Sequence, residues 1–108
     1  MLNTNTSVLA RRVRIGTDFA TLPHEAGWAA EAIVFTQVEG AHPPLTLTTE
    51  ISPDGITWIA RGEPVILDED ESIAAMPLTV FGNWIRLSIA GATAARPARV
   101  LVHLSLKG

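Results

Sequence analysis

The chain has 108 residues, no cysteine, a net charge of −3 and an isoelectric point near 5.5. That length supports one hydrophobic core and leaves no room for a second domain, and the lack of cysteine excludes a disulfide framework and thiolate chemistry. The acidic balance sets aside nucleic acid as a partner, because phosphate recognition wants a basic face.

The opening residues Met1 to Ser7 are polar and read as an N-terminal arm. The basic cluster Arg11, Arg12 and Arg14 is followed by no apolar run of signal-peptide length, so neither a classical export signal nor a membrane span is expected, and synthesis is expected in the cytoplasm. Val8 to Ile15 reads as a strand with Leu9, Val13 and Ile15 on one side. The alanines at 26, 29, 30 and 32 suggest a helix between Glu25 and Val38, but Ile33-Val34-Phe35 is β-branched and aromatic, and Gly40 and Pro43-Pro44 close the segment. Ala29 to Glu39 therefore reads as a largely buried strand. Leu45 to Ile51 alternates cleanly, with Leu45, Leu47, Thr49 and Ile51 on one face and Thr46, Thr48 and Glu50 on the other.

Ser52-Pro53-Asp54-Gly55-Ile56-Thr57-Trp58 has the chemistry of a tight turn. Pro53 presets φ, the Asp54 side chain can bond backbone two residues on, and Gly55 accepts the positive φ that lets the next strand leave. Thr57 to Arg61 is the return strand, Gly62 breaks it, and Pro64 to Leu67 starts another that ends at Asp68-Glu69-Asp70-Glu71. Ser72 to Leu78 carries Pro77 and is expected at a sheet edge or as an irregular strand. Asn83 to Ala90 places Ile85, Leu87 and Ile89 inward and Trp84, Arg86 and Ser88 outward; Gly91 to Pro97 is a loop by composition. The last strand, Arg99 to Lys107, turns Val100, Val102, Leu104 and Leu106 to the core and Leu101, His103 and Ser105 away. Seven or eight short strands with a turn signal about every ten residues predict an all-β antiparallel sandwich of jelly-roll or Greek-key wiring.

Ser52 to Trp58 resembles the Asp-box of sialidase-like propellers, Ser-x-Asp-x-Gly-x-Thr-Trp, through Ser52, Asp54, Gly55, Thr57 and Trp58, with one residue fewer between the Asp and the Gly. In that family the box is a structural turn away from the catalytic centre, so the resemblance implies a structural role for Pro53, Asp54, Gly55 and Trp58. Val34 to Glu39, the alternating strand into Ser-Pro-Asp-Gly-x-x-Trp, and Trp84-Ile85-Arg86-Leu87 together resemble small β-sandwich domains of phage and phage-derived particles and discoidin-like carbohydrate modules.

The three histidines, His24, His42 and His103, have no partners at metal spacing, and there is no Gly-rich phosphate loop and no tyrosine. No catalytic residue, cofactor or metal site is expected. Trp58 is expected to pack over the turn as core, while Trp28 and Trp84 are expected to be partly exposed, Trp84 with Arg86 and His103 on outward faces. Interface hot spots are enriched in Trp and Arg, and complementary charge orients association. The candidate interface residues are accordingly Arg11, Arg12, Arg14, Trp28, Asp68, Glu69, Asp70, Glu71, Trp84 and Arg86.

Mean hydropathy is +0.27, with 47% apolar and 18% charged residues, a surface poorer in charge than a freestanding domain usually shows. The expectation is a non-enzymatic structural subunit of a homo-oligomer or particle, with the resemblance implying a phage-like virion or capsid decoration protein. The alternative is a carbohydrate-binding module in which Trp28 or Trp84 stacks on a sugar while Arg86, His103 or Asp54 fixes hydroxyls. An accessory subunit of an enzyme complex is a third reading.

Overall fold

Strict alternation in the last two long strands organises the molecule. In the computed structural model, which describes residues 3–108, β9 (Trp84–Ala90) and β10 (Ala98–Lys107) bury every second side chain, as expected. They belong to different sheets. Preceding them in chain order are β1 (Thr4–Ile15), β2 (Phe19–Ala20), β3 (His24–Glu25), β4 (Glu31–Glu39), β5 (Leu45–Ser52), β6 (Ile59–Ala60), β7 (Val65–Leu67) and β8 (Ile73–Thr79).

One sheet has four strands in the order β1-β10-β4-β8. The other has six: β9 and β5 at its centre, β2 and β3 both paired to β9, and β6 and β7 both paired to β5. All pairings are antiparallel. The ten strands exceed the seven or eight expected because two edge strands are each broken in two. Joining β2 with β3 and β6 with β7 leaves eight arms, and their order in the two sheets, 1-8-3-6 and 2-7-4-5, is the jelly-roll order.

Between the sheets, Val34, Leu45, Leu47, Ile85, Leu87, Ile89, Val100, Val102, Leu104 and Leu106 are wholly removed from solvent. Burial of each such side chain contributes about 2 kcal/mol. Phe81, in the link between β8 and β9, plugs the same core. Residues 4–7, expected as part of an arm, are instead the first residues of β1, with Thr4 opposite Lys107 and Ser7 opposite Leu104; Met1 and Leu2 lie outside the described residues. Ala29 and Ala30 belong to the link before β4, which starts at Glu31, and no helix forms among the described residues.

Every edge is blunted. The register of β1 against β10 slips twice, between Val8 and Ala10 and between Ala10 and Val13, and Arg12 takes a left-handed φ of 47° in that stretch. Bulges and arginines on an edge strand discourage pairing with another chain. At the opposite edge β8 carries Pro77, which has no N–H to offer, as the sequence predicts. The edges of the other sheet are strands of two or three residues.

Candidate interaction surfaces

The turn after β5 is held by a closed set of hydrogen bonds. The Ser52 hydroxyl accepts from the backbone N–H of Asp54 (3.2 Å) and Gly55 (2.8 Å) and donates to Asp54 Oδ1 (2.9 Å). Asp54 Oδ1 in turn accepts from the N–H of Ile56 and Thr57, both at 2.9 Å. The bonds from Thr57, Ile56 and Ser52 hold the Asp54 carboxyl below its ordinary value of 3.8. Gly55 adopts φ +80°, as a turn glycine should.

This turn folds back over the outer face of the six-stranded sheet. A Cβ on Gly55 would lie 3.4 Å from the Trp84 ring, and the Arg86 guanidinium lies 4.3 Å from the centroid of Trp58 while bonding Glu50 at 2.8 Å. Trp58 is thus half-buried on the outside and is not core, contrary to expectation. The register explains why: Ala60 lies opposite Glu50, so Trp58, two residues earlier, shares the outward side with Glu50 and Arg86. Trp84 and Arg86 do face outward, where the turn lies over them. His103 does not join them, because it lies on the outer face of the other sheet.

That second outer face, on β1-β10-β4-β8, is apolar and uncovered. Its central row is Val8, His103, Phe35 and Ala75, and the adjoining rows bring Leu101, Gln37 and Ile73 on one side and Ser105, Ile33 and Pro77 on the other. Val8 and Ile73 are 38% and 54% exposed, and Phe35, Ile33 and Leu101 are half-buried only by their neighbours. Of this patch, only Leu101, His103 and Ser105 were marked as outward by the sequence pattern.

The basic cluster of β1 and the acidic run after β7 lie at one end of the sandwich. Arg12 pairs with Glu39 at 2.6 Å and Glu69 with Arg96 at 2.7 Å, so each cluster gives one member to an exposed ion pair within the chain. Arg11 and Arg14 are exposed in β1. Asp68, Asp70 and Glu71 bring carboxylates within 4.8 Å of one another and are all exposed; the Glu71 carboxylate accepts from the Asp68 N–H at 3.0 Å, which makes this a turn. Behind it His42 is buried, its ring nitrogens 2.7 Å from the carbonyls of Pro43 and Glu71, tying two loops together. The sequence carries no sign of this burial.

Trp28 is 49% exposed at the other end. With His24, Asn3, Thr4, Asn5 and Ser7 it lines an open groove of about 490 Å3. None of the three histidines has another histidine or a carboxylate among its hydrogen-bond partners in the described residues, so no acid–base pair assembles around them.

No protein-family model and no curated protein matches the chain. Among solved structures, the fold is similar to PBSX exported protein XepA, with a TM-score of 0.72 at 12% identity over 94% of this chain and 36% of that one. It is also similar to a chain in the structure of infectious bursal disease virus, Gx strain, with a TM-score of 0.55 at 13% identity over 98% of this chain and 32% of that one. A family two carbohydrate esterase from Cellvibrio japonicus aligns at a TM-score of 0.49 and 14% identity over 100% of this chain and 34% of that one, too distant to carry an argument. The chain spans about a third of the length of these proteins. The class is therefore an all-β jelly-roll sandwich, a fold shared with an exported phage protein and a virus structure.

Proposed function

We propose that the chain is a non-enzymatic structural subunit of a larger protein assembly, in particular a phage-like virion or capsid decoration protein made in the cytoplasm and placed at a particle surface. The observation that carries this reading is the uncovered, mainly apolar face of the four-stranded sheet. An exposed apolar patch of this extent marks an interaction site. The low charged fraction, 18%, supports the same reading, and so does a fold shared with a virus structure. Negative-stain imaging of the natively purified protein tests it: particles or discrete oligomers are expected, and a monomer with no companion in the native extract overturns it.

One observation favours a second reading, carbohydrate binding. Trp84 and Trp58 are occupied by Gly55 and Arg86, but Trp28 stands in a groove edged by amide, hydroxyl and imidazole groups, the chemistry that holds a sugar ring. A glycan array that shows binding lost in Trp28→Ala supports it; a blank array removes it.

A further inference from the structure

We propose that the outer face of the four-stranded sheet is closed by a second copy of this chain, packed face to face across a two-fold axis that exchanges β10 with β4. The proposal rests on the assembly reading above and names the surface and the partner.

The edges argue for a face rather than a ladder. A bulged β1 with its arginines, a proline in β8 and the short strands of the other sheet leave no clean row of backbone groups to extend. Of the two outer faces, one is covered by the Ser52–Trp58 turn over Trp84 and Arg86 and is otherwise mostly polar, with Thr46, Thr48, Glu50 and Ser88 beside the exposed Ile66. The other offers Val8, Ile33, Phe35, Leu101, Ile73 and Pro77.

Charge and area select a like partner. At one end of the face Lys107 stands opposite Glu31, and at the other Arg99 stands opposite Glu39. In each pair the base is on β10 and the acid on β4, and on β1 Arg14 stands beside Arg99 while Arg12 bonds Glu39, so the bases gather on the β1-β10 half of the face and the acids on the β4 half. A two-fold that exchanges β10 with β4 brings the base-bearing strand of each copy over the acid-bearing strand of the other, within reach of long side chains. The same operation sets His103 over the partner's Phe35 and Val8 over the partner's Ala75. Four strands of seven to twelve residues spaced about 4.8 Å apart present about 600 Å2 per copy, hence about 1,200 Å2 in all, at the lower end of stable interfaces. Sheets packed in this way stand about 10 Å apart with interdigitated side chains, which the half-buried Phe35 and Leu101 allow.

Sedimentation velocity of the purified chain and four variants tests this. The wild type is expected at twice the 11.6 kDa chain mass or an even multiple of it. Phe35→Glu, Leu101→Glu and Ile73→Glu each put a charge on the proposed face and are expected to raise the dissociation constant about 30-fold or more. Ile66→Glu is the matched control, since Ile66 is 53% exposed on the other sheet's outer face, against 54% for Ile73. It is expected to sediment as wild type. Ile73 is exposed enough that its variant folds even if Phe35→Glu does not, and circular dichroism checks each. An oligomer indifferent to all three variants, or one of odd stoichiometry, overturns this interface and leaves the assembly reading standing. A wild type that is monomeric throughout overturns this interface, and it overturns the assembly reading as well when the native extract yields no companion.

Discussion

The guanidinium of Arg86 lies over the ring of Trp58, 4.3 Å from its centroid, and bonds Glu50 on the neighbouring strand at 2.8 Å. One arginine thereby ties the loop after β5 to the sheet beneath it. The contact is a cation–π pair backed by a charge-assisted hydrogen bond with both partners partly shielded from water. A double-mutant cycle with Arg86→Met and Trp58→Leu is expected to show a coupling of about 0.5–1 kcal/mol in urea unfolding. Strictly additive effects would contradict the pairing.

Gly55 sets the same loop against Trp84 of the sheet. With φ +80° and the Trp84 ring 3.4 Å from the position of a Cβ, Gly55→Val suffers both backbone strain and crowding. The expected loss is about 2–3 kcal/mol, a fall in Tm of roughly 10 °C or more. Gly55→Asn, whose side chain tolerates the left-handed region, is expected to lose much less. Unchanged melting of Gly55→Val would refute the turn assignment.

Asp54 makes the loop sensitive to acid. Its folded carboxyl is held below 3.8 by hydrogen bonds from Thr57, Ile56 and Ser52, so its stabilising contribution is complete above 3.8 and is lost as pH falls through the lower folded value. Carboxyl NMR titration should place Asp54 below the ordinary value, and Asp54→Asn should remove its share of the acid-side decline. A titration at or above 3.8 would contradict the hydrogen-bond set.

Thr36 is wholly buried in β4, and its hydroxyl has no hydrogen-bond partner among the described residues. Thr36→Val keeps the shape and removes an unsatisfied polar group, so it is expected to raise stability by about 1 kcal/mol in denaturant unfolding. A loss of stability would show that the hydroxyl is bonded in solution.

The architecture was legible where one face of a strand is core and the other is not. Residues 45–51, 84–90 and 99–107 alternate in sequence and in burial because their pleats separate two environments. The two-residue strands Phe19–Ala20 and His24–Glu25 carry no period of their own; they exist because β9 offers them backbone partners. Residues 29–39 read as largely buried because Ile33, Val34 and Phe35 are all apolar, yet of these three only Val34 faces the core and its two neighbours join the outer patch.

Site reading failed where it needed register or distance. Trp58 follows a turn, and only its pairing two residues on, Ala60 with Glu50, decides which side it takes. His103 and Arg86 both point outward in their own strands, but those strands lie in opposite sheets. The burial of His42 depends on a carbonyl 29 residues away, at Glu71, which no local pattern announces.

If the sandwich associates with protein, as proposed, its mass in solution reports it. Light scattering on the natively purified chain at micromolar concentration is predicted to give a multiple of 11.6 kDa. A mass of 11.6 kDa at every concentration, with no partner retained from the native extract, would contradict it.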